Sequence, residues 1–439
     1  MGHLGGKEVY KKLWKKLDNL PYRVNYTRTF HEILERLYTR EEADVAVKMP
    51  YVLSPLDAVA RATGYDPEPL KGILESMCGK GLVIDLWVQN QYHYLLSPLI
   101  VGIFEFTMMR TGKDADPSIM ANLFETYMRE DGYHGANYKD SGRFGPIRTF
   151  PHTSTLSPAE YTQILDYEKA EEMIRRSEKY AIGLCSCRHE KYHLGQKKCD
   201  VPLESCVSLS FGADFLIRRN LGREVTLSAM LEHMEMAKEK RLVISGDNVQ
   251  NNVTFLCLCC GCCCNLLRGI SVLGYPHTVV TSNYIADVDP DLCNSCGQCA
   301  RICPISAIAM TAGGNHQASG KPRLVPTVDP DRCIGCGVCA LECSKTRALK
   351  LTRRPNRVIH PETTFERIIL QSLERGTLAN QIFDTPQSLS GKMIKSFVGG
   401  FLRLEPVKQA LAGDMLRSSF LSAMRAGVKQ QGKEWLTKI

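Results

Sequence analysis

The chain has 439 residues, 44% of them hydrophobic and 23% charged, and it contains 19 cysteines. This composition is that of a globular protein, which excludes wholesale disorder, and no run of about 18 uninterrupted apolar residues provides a spanning helix. The net charge of +8 is uneven: residues 1–24 and 350–439 are both basic, and the body between them is slightly acidic.

Residues 1–26 form an amphipathic basic segment. Val9, Leu13 and Leu17 are spaced by four residues, which predicts a short helix with one apolar face. The segment has no apolar signal core, so we expect the protein to stay in the cytoplasm. In a reducing compartment the many cysteines are expected to bind metal or cofactor and not to form structural disulfides.

Residues 27–110 contain helices followed by a hairpin. Ser54 is the candidate cap of a helix that has Pro55 at its first position and ends near Gly64. The predicted elements are helices over 29–38, 54–64 and 66–79 and strands over 82–88 and 92–96. This order resembles a winged-helix domain such as that of the MarR-like regulators.

That resemblance would place a DNA-reading helix at 66–80, but the charges argue against DNA. The helix carries three acidic residues against two lysines, and the would-be wing has Asp85 and no Lys or Arg. Because a DNA reader needs positive charge where it meets phosphate, we expect this domain to be a docking or structural module.

The next two regions are predicted as a loop-rich connection over 111–156 and a cysteine-rich α/β domain over 157–283. In the second region a helix is expected from Ser157 to Tyr180 and another over 227–240. Short strands are expected over 242–244 and 253–256. Residues 353–439 are predicted to form a helical basic C-terminal region, with helices over 365–373, 391–404 and 407–426.

The strongest motif is a repeated C-x2-C-x2-C-x3-C pattern within residues 284–352. Both copies follow the lead-in Val-Asp-Pro-Asp, and glycines at the turns permit positive φ. The first copy is followed by proline and the second by Ser344. The cysteines of the two copies are Cys293, Cys296, Cys299, Cys303, Cys333, Cys336, Cys339 and Cys343.

This region resembles the bacterial two-[4Fe–4S] ferredoxin domain. The resemblance implies two [4Fe–4S] clusters, in which the fourth cysteine of each copy binds the other cluster. One cluster would then take Cys293, Cys296, Cys299 and Cys343, and the second would take the remaining four. A zinc site is the alternative, but zinc usually takes paired C-x2-C knuckles.

A second group of cysteines lies within residues 185–264, after two strand-like runs that each end in Leu-Cys-x-Cys. If those strands are neighbours in one sheet, the cysteines meet at one edge. Two histidines, His189 and His193, lie beside this group and are expected to face solvent. The cysteines are Cys185, Cys187, Cys199, Cys206, Cys257, Cys259, Cys260, Cys262, Cys263 and Cys264.

Three interpretations of these ten thiols remain open. In the first, they bind one or two additional iron–sulfur clusters, with Cys185, Cys187, Cys199 and Cys206 as natural ligands of one. In the second, they hold a noncubane or substrate-binding cluster, since Cys-Cys-Gly at 259–261 resembles the CCG motif of heterodisulfide reductase subunits. In the third, they form a zinc knuckle or are free thiols. Gly261 is expected to permit a tight turn.

Together these patterns predict an α+β multidomain protein that transfers electrons through iron–sulfur clusters. It resembles multi-cluster ferredoxin-type subunits of anaerobic oxidoreductases, which implies redox partner proteins in a larger complex. The basic ends could also contact a membrane surface. Two alternatives stay open: a redox-sensing winged-helix regulator, and an enzyme whose cluster in 185–264 binds substrate.

Overall fold

The computed structural model describes residues 2–110, 116–130, 132–139, 143–316, 322–383 and 389–438. These residues form a mixed arrangement of helices and strands, as the predicted fold class requires. Within the described residues, none of the helices combines the length and the apolar character needed to cross a bilayer.

The N-terminal region combines helices with a small antiparallel sheet whose strand order is β1-β3-β2. Two of its helices lie between the first and second strands along the chain. The helices are α1 Gly2–Asp18, α2 Arg28–Leu37, α3 Arg40–Lys48, α4 Leu56–Thr63 and α5 Pro67–Gly79. The strands are β1 Ser54–Pro55, β2 Val83–Val88 and β3 Gln91–Leu96.

Most element ends in this region follow local sequence signals. Gly64 ends α4 in the left-handed conformation, as predicted. The turn between β2 and β3 has positive φ at Gln89 and Asn90, which suits a tight hairpin. The predicted start of α4 is wrong: Ser54 and Pro55 pair with β3 as a short strand, so the helix begins one residue later.

The segment 111–156 differs from the predicted loop-rich connection. Asp116 caps a helix by accepting hydrogen bonds from two backbone N–H groups, and that helix buries Phe124 and Tyr127. The elements after β3 are a π-type turn Leu99–Ile103, α6 Phe104–Met109, α7 Pro117–Arg129, α8 Tyr133–Tyr138 and β4 Ile147–Phe150. Residues 111–115, 131 and 140–142 of the predicted connection lie outside the described part.

The central region is built on a six-stranded antiparallel sheet of order β4-β8-β9-β6-β5-β7. Its further strands are β5 Tyr180–Leu184, β6 Glu204–Leu209, β7 Gly222–Glu224, β8 Val243–Asp247 and β9 Phe255–Cys259. Its helices are α9 Pro158–Tyr161, α10 Ala170–Arg175, α11 Ser186–His193, α12 Ser210–Arg218, α13 Leu227–Glu239 and α14 Asn265–Ser271.

The helix predicted from Ser157 to Tyr180 is interrupted. The chain there forms α9, a 3-10 turn over Asp166–Glu168, and then α10. The carboxylate of Glu168 accepts a hydrogen bond from the Leu165 N–H at 3.0 Å, which starts the new turn. Further 3-10 turns lie at Thr153–Thr155 and Pro276–Thr278.

The repeated cysteine motifs lie between two two-stranded antiparallel sheets, β10-β13 and β11-β12. Leu351 of β13 also forms a parallel bridge with Leu156, which joins this region to the central one. The elements are β10 Tyr284–Val288, α15 Gln298–Ile302, β11 Ile308–His316, β12 Pro322–Val328, α16 Val338–Glu342 and β13 Leu349–Arg353.

The C-terminal region is helical, as predicted, and it is anchored to the rest of the chain. Arg367 forms an ion pair with Asp247 at 3.2 Å and donates a hydrogen bond to the Tyr22 hydroxyl. The helix predicted over 407–426 is two helices separated at Gly413. The elements are α17 Thr364–Glu374, α18 Leu378–Ile382, α19 Leu389–Leu402, α20 Glu405–Ala412, α21 Arg417–Gln430 and a 3-10 turn Glu434–Lys438.

One hydrophobic core runs from the N-terminal helices into the cysteine-bearing regions. It contains side chains of α1, α2 and α7 together with Cys259 and Cys264 of the central region and Cys299, Cys336 and Cys339 of the repeats. A second core lies under the six-stranded sheet, between its strands and α10 and α13. The thiols therefore lie where the regions pack together.

Candidate metal centres

The two cysteine repeats have matching loop geometry. In each lead-in an aspartate carboxylate accepts hydrogen bonds from two backbone N–H groups, at 3.0 and 3.3 Å for Asp289 and at the same distances for Asp329. Gly297 and Gly337 precede the short helices α15 and α16 with left-handed φ of 68° and 84°. The two aspartates thus cap the turns that lead into the cysteine loops.

An arginine holds the backbone of each loop: Arg323 of β12 binds the first loop, and Arg354, directly after β13, binds the second. Arg323 donates hydrogen bonds to the carbonyls of Pro290 (2.6 Å) and Cys293. Arg354 does the same for the carbonyls of the second loop, Pro330 (3.2 Å) and Cys333. Neither arginine is among the predicted site residues, although each lies in a basic stretch within thirty residues of the repeat cysteine that it holds. These bonds hold the cysteine loops without using the sulfur atoms.

The first cavity of the repeat region joins cysteines from both copies. The side chains of Cys293, Cys296, Cys299 and Cys343 line it, together with apolar residues that include Val288 and Met310. The Ser295 N–H donates to the Cys293 sulfur at 3.4 Å. The grouping of three cysteines from one copy with the fourth of the other is the one that the ferredoxin resemblance implies.

The second cavity contains the complementary set. Cys303, Cys333, Cys336 and Cys339 line it, and the Ala307 N–H donates to the Cys303 sulfur at 3.2 Å. Burial raises the pKa of Cys336 to about 12. A metal centre that binds here must therefore displace protons from the thiols.

The residues of both cavities fit an iron–sulfur cluster. Each cavity offers four thiols, an apolar lining and a peptide N–H aimed at sulfur, which are the features that hold and tune such clusters. Gly335 leaves no room for a side chain, because a Cβ there would lie 2.1 Å from the Tyr284 carbonyl oxygen. The loop around the second cavity is therefore packed closely against β10.

The ten other thiols meet on the six-stranded sheet, although the two Leu-Cys-x-Cys strands are not neighbours. Strand β6 lies between β5 and β9 and contributes Cys206, which is paired directly with Cys257. Directly paired residues in an antiparallel sheet point to the same face. Cys257 and Cys259 also share a face of β9, because side chains alternate along a strand.

Four of the ten thiols form a compact set, called here the four-thiol group: Cys199, Cys260, Cys262 and Cys263. Their sulfur atoms all lie within 4.8 Å of one another. Cys199 is 3.7 Å from Cys260 and 3.8 Å from Cys263. Cys262 is 3.6 Å from Cys260 and 3.5 Å from Cys263.

The remaining thiols form a second set, called here the six-thiol group: Cys185, Cys187, Cys206, Cys257, Cys259 and Cys264. Cys264 interacts electrostatically with both Cys187 and Cys259, and Cys257 interacts with Cys259 in the same way. Burial raises the pKa of Cys185 to about 11. The predicted ligand set of Cys185, Cys187, Cys199 and Cys206 is therefore split, because the contacts of Cys199 are with the four-thiol group.

Arg188 supplies positive charge between the two groups. Its buried guanidinium donates to the Ser205 hydroxyl and to the Leu258 carbonyl. Burial lowers the pKa of Arg188, but the surrounding cysteines, Cys185 and Cys260 first among them, raise it overall. Arg188 is not among the predicted site residues, and its position directly after Cys187 is the sequence signal that points to it.

The two histidines beside Cys187 do not both face solvent as expected. His189 is buried, and its Nδ1 lies 2.6 Å from the Met108 carbonyl oxygen. Its Nε2 lies 2.9 Å from Nε2 of His193. The His189 imidazole therefore connects α11 to α6, and the two imidazoles of α11 contact each other.

The loop from Cys260 to Cys264 approaches the second cavity directly. A Cβ on Gly261 would lie 2.8 Å from the carbonyl oxygen of Pro304, which follows the cavity cysteine Cys303. The chain turns at Gly261, as the sequence predicts, but the φ of this glycine is not positive, so the close approach to Pro304, and not a left-handed torsion, requires glycine here. His152 adds a further contact with the second cavity, because its backbone N–H donates to the Cys336 carbonyl at 3.0 Å.

Comparison with known protein families agrees with the geometry of the repeats. Residues 292–346 match the family model described as a 4Fe-4S dicluster domain. This match supports an iron–sulfur ferredoxin-type domain in that part of the chain. No curated protein and no solved structure matches the chain.

Proposed function

We propose that the chain is an iron–sulfur electron-transfer protein, or the electron-transfer subunit of an oxidoreductase, working with a redox partner protein. The observation that carries this proposal is the pair of four-cysteine cavities, the second of which adjoins the thiol-rich loop of the central region. When bound, [4Fe–4S] clusters supply one-electron transfer at potentials set by their surroundings.

In this proposal each cavity holds one [4Fe–4S] cluster. Cys293, Cys296, Cys299 and Cys343 would hold the outer cluster, and Cys303, Cys333, Cys336 and Cys339 the inner one. The names follow from burial: Cys296 is exposed, whereas Cys333, Cys336 and Cys339 are buried. The six-thiol group of the central region would hold a further centre; two of its members, Cys259 and Cys264, flank the loop that packs Gly261 against Pro304 beside the inner cluster.

The direction of the relay follows from this order. A partner protein meets the outer cluster at the exposed Cys296 side, and the inner cluster is shielded by the central region. Electrons would then pass between the partner and the central thiols through both clusters. The protein's contribution is to hold the sulfur ligands, exclude water from the inner cavity and fix the spacing of the centres.

The N-terminal winged-helix-like region serves in this proposal as a docking and structural module. Its acidic residues are already used inside the chain: Arg219 pairs with Glu75 and with Asp85 (2.8 Å), and Arg218 also pairs with Asp85 (2.6 Å). These ion pairs fasten α5 and β2 to α12 and leave acidic groups where a DNA reader needs cations. The regulator alternative is therefore not favoured.

A second candidate function is an enzyme with a substrate-binding or noncubane cluster at the six-thiol group. The group has six thiols, more than the four that a cubane uses, and this excess is the observation that favours it. An open iron position there would respond to an added small thiol. A thiol-dependent change in the visible spectrum that Cys206→Ser removes would support this candidate.

Anaerobic reconstitution of the full chain with iron and sulfide tests the main proposal. We expect at least about eight irons and as many acid-labile sulfides per chain, since two cubanes contain that number. Reduction with dithionite should give electron paramagnetic resonance signals of two interacting [4Fe–4S] clusters, because the two cavities adjoin.

Paired substitutions assign the signals. Cys296→Ser should alter the outer cluster alone, and Cys336→Ser the inner one alone, while Cys78→Ser, at a thiol on α5 away from both cavities, should leave both unchanged. Stoichiometric zinc without iron in the repeat region would overturn the proposal. So would full iron content with no reducible cluster.

A further inference from the structure

We propose that the four-thiol group is a separate site for one tetrahedrally coordinated metal ion of the zinc type. This site is distinct from the iron–sulfur clusters and does not depend on the proposed electron transfer. The sequence pattern merges its four cysteines with the other thiols of the central region, whereas the structure separates them.

The sulfur–sulfur distances of the four-thiol group fit a single tetrahedral ion. A tetrahedral ion with metal–sulfur bonds of about 2.3 Å sets its four sulfurs about 3.8 Å apart. Four of the six sulfur pairs here measure 3.5 to 3.8 Å, and all six lie within 4.8 Å. A cubane holds its thiolates on four different irons, so those sulfurs stand farther apart than sulfurs that share one ion.

A backbone turn after β9 brings three of these sulfurs together. The Cys264 N–H donates to the Cys260 carbonyl at 3.1 Å and closes a turn over the three residues between them. This turn brings the sulfurs of Cys260, Cys262 and Cys263 together beyond the end of β9. Cys259 lies inside the strand and belongs to the six-thiol group, so adjacent cysteines are directed to different sites.

Charge and chemistry are the third argument. Four thiolates around a divalent ion leave two negative charges, and the buried guanidinium of Arg188 acts electrostatically on both Cys199 and Cys260. Four sulfur donors in tetrahedral arrangement select zinc over harder cations such as magnesium or calcium. All four ligands come from the protein, which is typical of a structural zinc site.

The position of the site gives it a structural consequence. It ties the segment after α11, through Cys199, to the loop between β9 and α14. That loop carries Gly261 against Pro304 beside the inner cavity. The ion would hold the central region and the repeat region in contact.

Zinc binding to the full chain tests the site. The protein is first loaded with iron and sulfide without oxygen, then treated with Zn²⁺ alone and desalted. We expect one retained zinc per chain, with a zinc-edge X-ray absorption spectrum that shows four sulfurs at about 2.3 Å and no neighbouring metal. Absence of retained zinc, or a metal neighbour in the spectrum, would overturn the site.

Two serine variants give the matched comparison. Cys199→Ser should lose the zinc while iron and acid-labile sulfide stay at wild-type content. Cys206→Ser changes one thiol of the six-thiol group and should keep the zinc. If Cys199→Ser instead lowers iron and sulfide together, these thiols are cluster ligands and the single-ion site is wrong.

The two proposals fail in different ways. Loss of the electron-transfer function would show as absent or unreducible iron, with zinc still bound by wild type. Loss of the zinc site would leave the spectra of the repeat clusters intact. If Cys199→Ser does not fold, as judged by circular dichroism, the X-ray absorption spectrum of the wild-type chain still decides.

Discussion

Gly335 and Gly64 share a left-handed backbone but differ in their surroundings. Their φ values are 68° and 77°, in the range that glycine adopts without strain. A Cβ on Gly335 would lie 2.1 Å from the Tyr284 carbonyl oxygen, whereas a Cβ on Gly64 would meet nothing within 4 Å. Substituting alanine at the two positions therefore separates the free-energy cost of a positive φ from that of the steric clash.

We expect Gly335→Ala to destabilise the chain and to remove iron from the inner cavity. The added methyl must push the loop away from β10 and so displace the neighbouring cavity cysteines, Cys333 and Cys336. Gly64→Ala carries only the torsional cost of about 1 kcal/mol and should keep all iron. Iron and sulfide content together with thermal unfolding measure both effects. Equal iron content in the two variants would contradict the prediction.

The cavity ligands could be predicted from sequence because their spacing is local. Three cysteines of each repeat stand within seven residues, and the fourth follows at a constant offset. The four-thiol group could not, because Cys199 lies 61 residues from Cys260 and reaches it only through the order of the strands. That order depends on the packing of whole strands, which no short pattern encodes.

Among the elements, α7, α11 and α14 are joined by a buried ion network. Lys191 of α11 is fully buried and pairs with Glu190 at 3.0 Å and with Glu125 of α7. Asn265 of α14 donates to the Glu190 carboxylate at 2.7 Å. Burial raises the pKa of Glu125, but its interactions with Lys191, Arg268 and Arg129 together outweigh burial, and the pKa falls to about 2. The network lies beside Cys187 and Cys264.

We expect Lys191→Met to destabilise the chain by about 3–5 kcal/mol, because it leaves the buried Glu190 carboxylate without its cation, whereas Glu125 keeps its ion pairs with Arg129 and Arg268. The matched control is Lys48→Met on α3. It breaks a surface pair with Asp44 at 2.6 Å, whose side chains are 42% and 37% exposed, and should cost about 1 kcal/mol or less. Urea unfolding measures both losses. A loss for Lys191→Met no larger than that of the control would contradict the buried network.

Two helices that were not predicted have capping residues in the sequence at their starts. Asp116 and Pro117 form a helix start at α7, and Thr39 and Glu42 form a capping box at α3. Helix α7 follows a polar stretch, which favoured a loop-rich interpretation of the segment. Its apolar face becomes decisive only when it packs on α2, where the rings of Phe30 and Tyr127 stack at 4.9 Å.

At the scale of the whole molecule, the repeat region is asymmetric in its exposure. The outer cavity reaches the surface at Cys296. The central region covers the inner cavity, where Gly261 packs against Pro304 and the backbone N–H of His152 donates to the Cys336 carbonyl. The two cavities have equivalent cysteine patterns and differ mainly in what packs against them. Tertiary packing, and not the repeat itself, therefore assigns their places in the proposed relay.

This asymmetry predicts unequal responses to a water-soluble paramagnet. In the reduced, reconstituted protein, a dysprosium chelate should speed the spin relaxation of the outer cluster and affect the inner cluster little, because the magnetic interaction falls steeply with distance. Cys296→Ser and Cys336→Ser identify which signal belongs to which cavity. Equal relaxation enhancement at both clusters would show that the inner cavity is as accessible as the outer one, and the proposed order of electron transfer would then be wrong.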